Sequence, residues 1–294
     1  MILNRLATAA ALASVALVVT PALAAKKGAK PAAAAAPVLD ATTAALLDAS
    51  LAGDHRTAEE KARDKYRNPK EALAFYGLKS TMTVIEVSPG GGWWTDVLAP
   101  VLREGGKLQV AMNTNLNSGA RRGLGETLSR FAASPKVFDK VEIIPYAPSQ
   151  GVPIGADGSA DMVLVFRHMH GLVGANLAPQ TLKLYFDALK PGGVLAIEQH
   201  RWPEDKPYPA GKATAGNPPI GYLKESDVIA LATAAGFKLA GRSDVNANPK
   251  DTKDHPNDVW SLPPTLRGGD VDKEKFLAIG ESDRMTLRFV KPAA

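Results

Sequence analysis

The amino-acid sequence predicts an α/β protein built on a doubly wound, mostly parallel β-sheet with helices on both faces. Short apolar runs alternate with helix-like runs from Thr83 to Val290, and this alternation is typical of parallel strands joined by crossover helices. Several runs, such as Met162–Phe166, are apolar throughout, as expected of strands that are covered on both sides. Three glycines, Gly90–Gly92, follow the first of these strands at the point where the chain turns into a helix.

Helices are predicted ahead of the sheet. Pro69–Tyr76 has proline in its first turn, where its missing N–H would be unpaired in any case, and Gly77 follows as a stop signal. Two further helices are predicted at Thr42–Leu51 and Thr57–Tyr66. The chain therefore reaches its first strand through N-terminal helices.

Strands and helices then alternate to the end of the chain. The predicted strands are Thr83–Val87, Leu108–Met112, Val141–Ile144, Met162–Phe166, Val194–Ile197, Phe237–Ala240 and Met285–Val290. The predicted helices are Trp93–Leu102, Ser118–Ala133, Pro179–Leu189 and Glu225–Ala235. The Pro/Gly turn Lys190–Gly193 ends the third of these helices, and Gly236 ends the fourth.

The N-terminus has the pattern of a secretory signal peptide. Arg5 lies in a short positive region, Leu6–Val19 carries no charge, and Pro21–Ala24 offers small residues for cleavage after Ala24. An apolar run of about 14 residues is shorter than the ~20 of a spanning helix, which favours cleavage and a periplasmic or secreted protein. The predicted layout is a signal peptide at 1–24, an Ala/Pro/Lys-rich linker at 25–41 and one domain at 42–294 with its core at 69–291.

Composition limits the binding partners and the kinds of site that we expect of this protein. The 294 residues carry a formal charge of +5 with no Lys/Arg block interleaved with aromatics, so no nucleic-acid binding is predicted. The chain has no cysteine, which excludes disulfides, thiol catalysis and cysteine-based zinc sites. No second long apolar run follows the N-terminal one, so we expect no stable membrane insertion. The oligomeric state stays open.

The stretch VIEVSPGGGWWT contains the glycine cluster and an acidic residue before it. In a doubly wound sheet the ligand lies at the carboxyl ends of the strands, where the strand order reverses. Gly90–Gly92 permit a tight turn and close approach of a nucleotide-like ligand to the backbone. Glu86, at the end of the strand, can fix the loop or accept a hydrogen bond from the ligand. A purely structural turn would explain the glycines about as well.

Three of the five histidines follow two strands that we expect to be neighbours in the sheet. His168 and His170 come after the fourth predicted strand, and His200 follows the fifth, next to Glu198 and Arg201. Because the carboxyl ends of parallel strands meet at one edge, these residues predict a polar substrate site with a histidine as general base. Structural roles at the strand ends are the alternative, and no metal site is predicted although the residue types would suit a divalent ion.

The segment Asn246–Gly269 is long and irregular, which in a compact domain usually indicates function or disorder. Trp260 and the Pro263–Pro264 pair favour an ordered lid over the crevice. We expect Asp254 or His255 to reach into the site from this lid. A solvated loop that packs Trp260 on the surface is the alternative.

The order of these features resembles a known family. The spacing of Glu86, Gly90 and Gly92 is similar to the first motif of class I S-adenosylmethionine-dependent methyltransferases, and differs from the G-x-G-x-x-G of dinucleotide folds. Later strands and turns of that family resemble SADMVLVFRHMH, LKPGGVLAIEQHR and GYLKESDVIALATAAGFKL. Closer still are exported predicted methyltransferases of undefined substrate, on the segments RDKYRNP, FRHMH, NANPKDTKDHPNDVWSLPPTLR and GESDRMTLRFVKP. The resemblance covers Pro69 to Lys291.

The resemblance implies a Rossmann-like, seven-stranded methyltransferase fold in which Met285–Val290 is antiparallel. It implies S-adenosylmethionine as cofactor and a small-molecule or cell-envelope component as methyl acceptor. The implied cofactor-binding residues are Tyr66, Glu86, Gly90, Gly91, Gly92, Trp93, Asn113, Tyr146 and Arg167. The candidate catalytic residues are His168, His170, His200 and His255.

The sequence departs from the family pattern at three places. Ser88 stands where the first motif usually has a glycine. The second strand ends in Met112 and Asn113, without the carboxylate that binds the ribose in this family. Tyr146 replaces the acidic residue that often meets the adenine. A non-catalytic periplasmic ligand-binding protein on the same fold is therefore the alternative to the methyltransferase, and a metal-dependent hydrolase has no nucleophile motif to support it.

Overall fold

The computed structural model describes residues 38–114, 118–209 and 221–293. The predicted signal peptide at 1–24 and most of the linker at 25–41 lie outside these residues. The strands are β1 (Thr83–Val87), β2 (Lys107–Asn113), β3 (Glu142–Tyr146), β4 (Ala160–Phe166), β5 (Leu189–Trp202), β6 (Leu223–Lys224), β7 (Lys238–Ser243) and β8 (Arg284–Val290). The helices are α1 (Ala41–Ala52), α2 (Ala58–Lys61), α3 (Asp64–Arg67), α4 (Pro69–Tyr76), α5 (Trp93–Leu102), α6 (Ser118–Ala133), α7 (Pro135–Phe138), α8 (Met169–Gly174), α9 (Ala178–Ala188), α10 (Glu225–Ala234) and α11 (Lys273–Ile279).

The strands form one mixed sheet in the order β3-β2-β1-β4-β5-β8-β7. β1 pairs in parallel with β2 and β4, and β4 pairs in parallel with β5. β8 runs antiparallel between β5 and β7, which confirms the antiparallel strand expected at Met285–Val290. The strand order reverses between β1 and β4, so the carboxyl ends of β1, β4 and β5 border one crevice. The predicted doubly wound α/β fold is confirmed.

Alternate residues of the central strands bury apolar side chains on opposite faces of the sheet. Ile85 and Val163 pack on the face that α9 and α10 cover. Val84 and Met162 pack on the other face, against α1, α4 and α5. Because successive side chains of a strand point to opposite faces, a strand with helices on both sides must be apolar at every position.

The fifth strand is longer than predicted. The sequence predicts a strand over Val194–Ile197 after a turn at Lys190–Gly193, whereas β5 runs through this turn and its pairing with β4 shifts register there. Gly192 has φ +80°, and a Cβ on Gly193 would lie 2.8 Å from the Lys190 carbonyl oxygen. The two glycines thus accommodate an irregularity inside a strand instead of ending a helix.

Short elements account for the other differences. Within the described residues the sheet has an eighth strand, because the two residues of β6 pair with the end of β5. The predicted helix Thr57–Tyr66 is divided into α2, which Thr57 and Glu60 cap reciprocally, and α3. The helices α7, α8 and α11 were not predicted, because runs of four to seven residues show too little periodicity.

Candidate active site

A cavity of about 290 Å³ opens at the carboxyl ends of β1, β4 and β5. This volume is close to the lower end of the ~300–1,000 Å³ usual for small-molecule pockets. Its apolar wall includes Trp93, Trp94, Phe166 and Trp260. Its polar lining includes Arg67, Glu86, Arg167, His170, His200 and Ser282. A small ligand in this cavity would meet both aromatic rings and charged or imidazole groups.

The glycine loop after β1 lies at the cavity entrance. Gly90 and Gly92 have φ +60° and +79°, and Ser88 has φ +51°, so all three adopt the left-handed conformation that glycine tolerates best. A Cβ added to Gly90 or Gly91 would meet no atom within 4 Å. The open space beside these two residues leaves room for a ligand against the backbone.

Glu86 is buried at the end of β1 and also lines the cavity. Thr95, in the first turn of α5, donates a hydrogen bond of 2.6 Å from Oγ1 to Glu86 Oε2. Burial raises the pKa of Glu86 to about 7, although the Thr95 bond opposes the shift. The carboxyl therefore fixes the start of α5 and is close to half-protonated at neutral pH.

A cluster of charged side chains closes one side of the cavity. Glu281, which is 2% exposed, accepts hydrogen bonds from Arg63 Nε at 2.8 Å and Arg67 Nε at 3.1 Å. Arg284 Nη1 donates to the same carboxylate at 3.2 Å. Arg167 Nη1 lies farther away, 3.9 Å from Glu281 Oε2. Four guanidinium groups thus converge on one carboxylate.

The cluster shifts the pKa values of its own members. Burial opposes ionisation of Glu281, but the surrounding guanidinium groups outweigh it and lower its pKa to about 2. Burial and the neighbouring Arg167 lower the pKa of Arg67 despite the attraction of Glu281. The excess of positive charge at this side of the cavity thus contributes to both shifts, whereas burial favours the shift of Arg67 and opposes that of Glu281.

His170 and His200 both line the cavity, with ring centroids 5.7 Å apart. Nδ1 of His200 lies 2.6 Å from Ser282 Oγ, and Nδ1 of His170 lies 3.3 Å from Gln199 Oε1. Burial lowers the pKa of both rings, and in His200 the nearby positive charges add to the effect. Both rings are therefore neutral near pH 7.

The other two candidate histidines lie outside the cavity lining. His168 Nε2 is 3.3 Å from the Tyr146 hydroxyl and 3.5 Å from Ser88 Oγ, behind the glycine loop. His255 is buried, with Nε2 2.9 Å from Asp251 Oδ1 and its ring against Phe276. Its position argues against the expected reach of His255 into the crevice.

Three of the implied cofactor-binding residues are also outside the cavity lining. Asn113 is exposed at the end of β2. The Tyr146 hydroxyl is buried and bonded to Tyr185 at 2.7 Å, so its ring is part of the core rather than a free stacking surface. Tyr66 packs against Gly280, where an added Cβ would lie 2.5 Å from its ring. The cavity thus extends from the glycine loop towards β4 and β5, away from β2 and β3.

The irregular segment Asn246–Gly269 contributes Val259, Trp260, Pro263, Pro264 and Thr265 to the cavity wall. The Arg267 guanidinium lies 4.6 Å from the Trp260 ring centroid, which holds the indole between the arginine and the cavity. Asp254 is exposed and bonded to Thr252. The segment therefore covers the cavity with apolar side chains, and neither of the polar residues expected from it lines the cavity.

The sequence did not assign Ser282, Glu281 or Arg284 to the site. These residues lie in GESDRM, where β8 begins, 189 to 194 positions from the glycine loop. The only local sequence signal of a functional role for these residues is that several charged residues stand together just before an apolar strand. Their partners, Arg63 and Arg67, are 218 and 214 positions away.

Within the described part of the chain, no three histidine, aspartate or glutamate side chains are grouped so that they could hold a metal ion. None of the helices in those same residues is both long and apolar enough to cross a membrane.

Comparison with known proteins identifies solved structures with a similar fold. No protein-family model and no curated protein sequence matches the chain. A SAM-dependent methyltransferase from Aquifex aeolicus superposes with a TM-score of 0.50 at 17% identity, over 78% of this chain and 93% of that one. The [4+2]-cyclase SpnF superposes with a TM-score of 0.53 at 13% identity, over 88% of this chain and 98% of that one. At these identities the likeness concerns the fold.

The two neighbours differ in the reaction that their names state, one a methyl transfer and the other a cyclisation. A shared fold therefore leaves the reaction to be argued from the site. The chain has the Rossmann-like α/β fold of class I methyltransferases.

Proposed function

We propose that this protein is an S-adenosylmethionine-dependent methyltransferase that acts on a small molecule. The main support for the proposal is the open space beside the backbone of Gly90 and Gly91, near the buried Glu86 and at the entrance of the cavity. A cofactor held on the glycine loop would present its reactive methyl group to a second molecule in the cavity.

The residues around the cavity would have different roles in this reaction. The glycine loop and Glu86 would hold the amino-acid part of S-adenosylmethionine, which when bound supplies an electrophilic methyl group. The aromatic wall orients the acceptor, and positioning of this kind is the larger part of the rate gain. His170 and His200 are neutral, so either can take a proton from an acceptor oxygen or nitrogen.

The fit to the cofactor is good at the glycine loop and poor at the adenosine. Neither Asn113 nor Tyr146 lines the cavity, and the end of β2 offers no carboxylate to the ribose hydroxyls. A neutral side chain makes a weaker hydrogen bond than a carboxylate. This supports a second candidate function: a ligand-binding protein that lacks part of the cofactor site and binds another small molecule in the cavity.

We also propose an exported location, with cleavage after Ala24. The support is the sequence pattern of residues 1–24, which lie outside the described residues. Fractionation of cells that express the full chain, followed by N-terminal sequencing, tests it. Recovery of an intact N-terminus from the cytoplasm alone would refute it.

Calorimetric titration of the mature chain with S-adenosylmethionine and S-adenosylhomocysteine tests the function. We expect binding in the micromolar range, and its loss in Gly91→Trp, because the new ring fills the space beside the loop. Gly125→Trp is the matched control, since Gly125 also has no neighbouring atom within 4 Å of an added Cβ but lies in α6 rather than in the glycine loop. Absence of binding at millimolar ligand would refute the methyltransferase and leave the ligand-binding protein.

A further inference from the structure

The charged cluster beside the cavity contains more positive than negative charge. Two carboxylates bind the four arginines Arg63, Arg67, Arg167 and Arg284: Glu281, described above, and Glu198, whose Oε1 lies 2.7 Å from Arg284 Nε. Arg284 makes further hydrogen bonds, since Nη1 also donates to the Ser282 carbonyl and Nη2 donates to the Tyr66 carbonyl at 2.6 Å. The four arginines therefore outnumber the two carboxylates, and Arg167, at 3.9 Å from Glu281, is the one of the four without a hydrogen-bonded carboxylate.

The two arginines that line the cavity are the least well paired. Arg67 is 1% exposed, and its Nη1 and Nη2 have no hydrogen-bond partner among the described residues. Arg167 makes no side-chain hydrogen bond within the described part of the chain, and its Nε is likewise buried and unpaired. Buried charged groups are expensive unless they are paired, so an anion from outside the chain would stabilise both.

The backbone holds Arg167 in the position to receive such an anion. Arg167 has φ +55°, which costs ~1–3 kcal/mol for a residue with a side chain. Its N–H donates a hydrogen bond of 2.6 Å to the Glu198 carbonyl, which ties it to the end of β5. The Arg167 side chain is 27% exposed, so its free end is accessible from the cavity.

The rest of the cavity wall indicates what the anion is attached to. Trp94 and Phe166 have ring centroids 4.9 Å apart, and Trp260 is a further aromatic residue of the wall. Nε1 of Trp94 is a further buried donor without a partner in the described residues. A ligand that satisfies this cavity combines an oxyanion with an apolar or aromatic body.

We infer that the substrate cavity recognises a small aromatic or apolar acid, whose carboxylate or other oxyanion binds between Arg67 and Arg167. This deepens the proposed function by naming the class of acceptor, and it rests on that function only for the role of the ligand as acceptor. The anion site itself requires no cofactor.

Intrinsic fluorescence provides the test, because three of the four tryptophans line the cavity. The mature chain is titrated with benzoate and, separately, with inorganic phosphate, against sodium chloride of equal ionic strength to remove screening effects. We expect saturable quenching by benzoate. In Arg167→Gln the affinity should fall about 10- to 100-fold, as expected for a lost charged hydrogen bond.

Arg201→Gln is the matched control. Arg201 is 23% exposed, similar to Arg167, but its guanidinium is bonded to Asp244 and Asp283 outside the cavity. It should bind benzoate as the wild type does. Equal affinity of the wild type and Arg167→Gln, or no saturable response in the wild type, would overturn the inference.

Repeating the titration with saturating S-adenosylhomocysteine identifies the source of the anion. If benzoate still binds, the oxyanion belongs to the acceptor, as we infer. If S-adenosylhomocysteine displaces benzoate and also loses affinity in Arg167→Gln, the arginines bind the cofactor's own carboxylate and the inference is overturned. Benzoate binding without any S-adenosylhomocysteine binding would refute the proposed methyl transfer and leave the anion site standing.

Discussion

Replacing Glu281 by glutamine should destabilise the protein strongly, and the effect should fade in acid. In the folded protein the guanidinium groups lower the pKa of Glu281 from 4.5 to about 2. A carboxyl shifted to that extent contributes ~3 kcal/mol to the free energy of unfolding at neutral pH. Removal of one partner from a buried ion pair gives a similar figure, ~3–5 kcal/mol. The two routes agree because both measure the arginines' attraction for this carboxylate.

The sign of the pH dependence follows from the lowered pKa. The stabilisation is fully present above pH 4.5, where the unfolded chain is also ionised, and is lost as the pH falls towards 2. Urea unfolding of the wild type and Glu281→Gln at several pH values checks this. The difference between them should be ~3 kcal/mol at pH 6 and less than half of that at about pH 3.

Glu142→Gln is the control for this experiment. Glu142 forms an ion pair with Lys107 at 2.8 Å but is 46% exposed, so its loss should cost ~1 kcal/mol or less. A difference between Glu281→Gln and the wild type that stays constant from pH 6 to pH 3 would refute the reasoning. It would mean that the variant loses packing rather than an ionised partner of the arginines.

Three further predictions concern single positions. Burial raises the pKa of Glu86 to about 7, so ionisation of this carboxyl destabilises the wild type as the pH rises from 4.5 to 7. Glu86→Gln removes the carboxyl. In urea unfolding, the free energy of unfolding of the variant should therefore rise by ~2 kcal/mol relative to that of the wild type between pH 5 and pH 8. Gly221→Ala should lower the free energy of unfolding by ~2–3 kcal/mol, since Gly221 has φ +82° and an added Cβ would lie 2.2 Å from Val259 of the covering segment. Gly158→Ala is the control: with φ +63° and no atom near the added Cβ, it should cost only the backbone strain of ~1 kcal/mol. Equal losses for the two variants in urea unfolding would contradict the clash at Gly221. The imidazole signals of His170 and His200 should titrate below the ordinary histidine value of 6.5 in NMR spectra, because burial lowers both pKa values; titration of either ring near 6.5 would show that it is solvated.

Much of the fold could be predicted because its signals are local. The bounds of β1, α4 and α5 agree with the structure to the residue, since a strand's apolar run, a proline at the first turn and a glycine after the last are all read within a few positions. Lys190–Gly193 shows the limit of such signals. The same Pro/Gly run can end a helix or bend a strand, and only the pairing of β5 with β4 decides between them.

The site was predictable as far as the sheet topology brings its residues together. The glycine loop, Arg167 and His170 follow strands, His200 lies near the carboxyl end of β5 instead of after it, and the carboxyl ends of β1, β4 and β5 meet at one crevice. His255 and Tyr146 carry equally suggestive side chains, but their positions depend on how a long loop and the third strand pack against the core. No local pattern specifies that packing.

The sequence by itself determined the order of strands and helices and the glycine turn after the first strand, because propensity and periodicity act between near neighbours. Only the tertiary structure decided which charges meet. Arg67 and Glu281 are 214 positions apart, and α3 and the residues just ahead of β8 are neighbours only in the folded structure. Electrostatic interactions depend on distance in space and on burial, and neither can be read from separation along the chain.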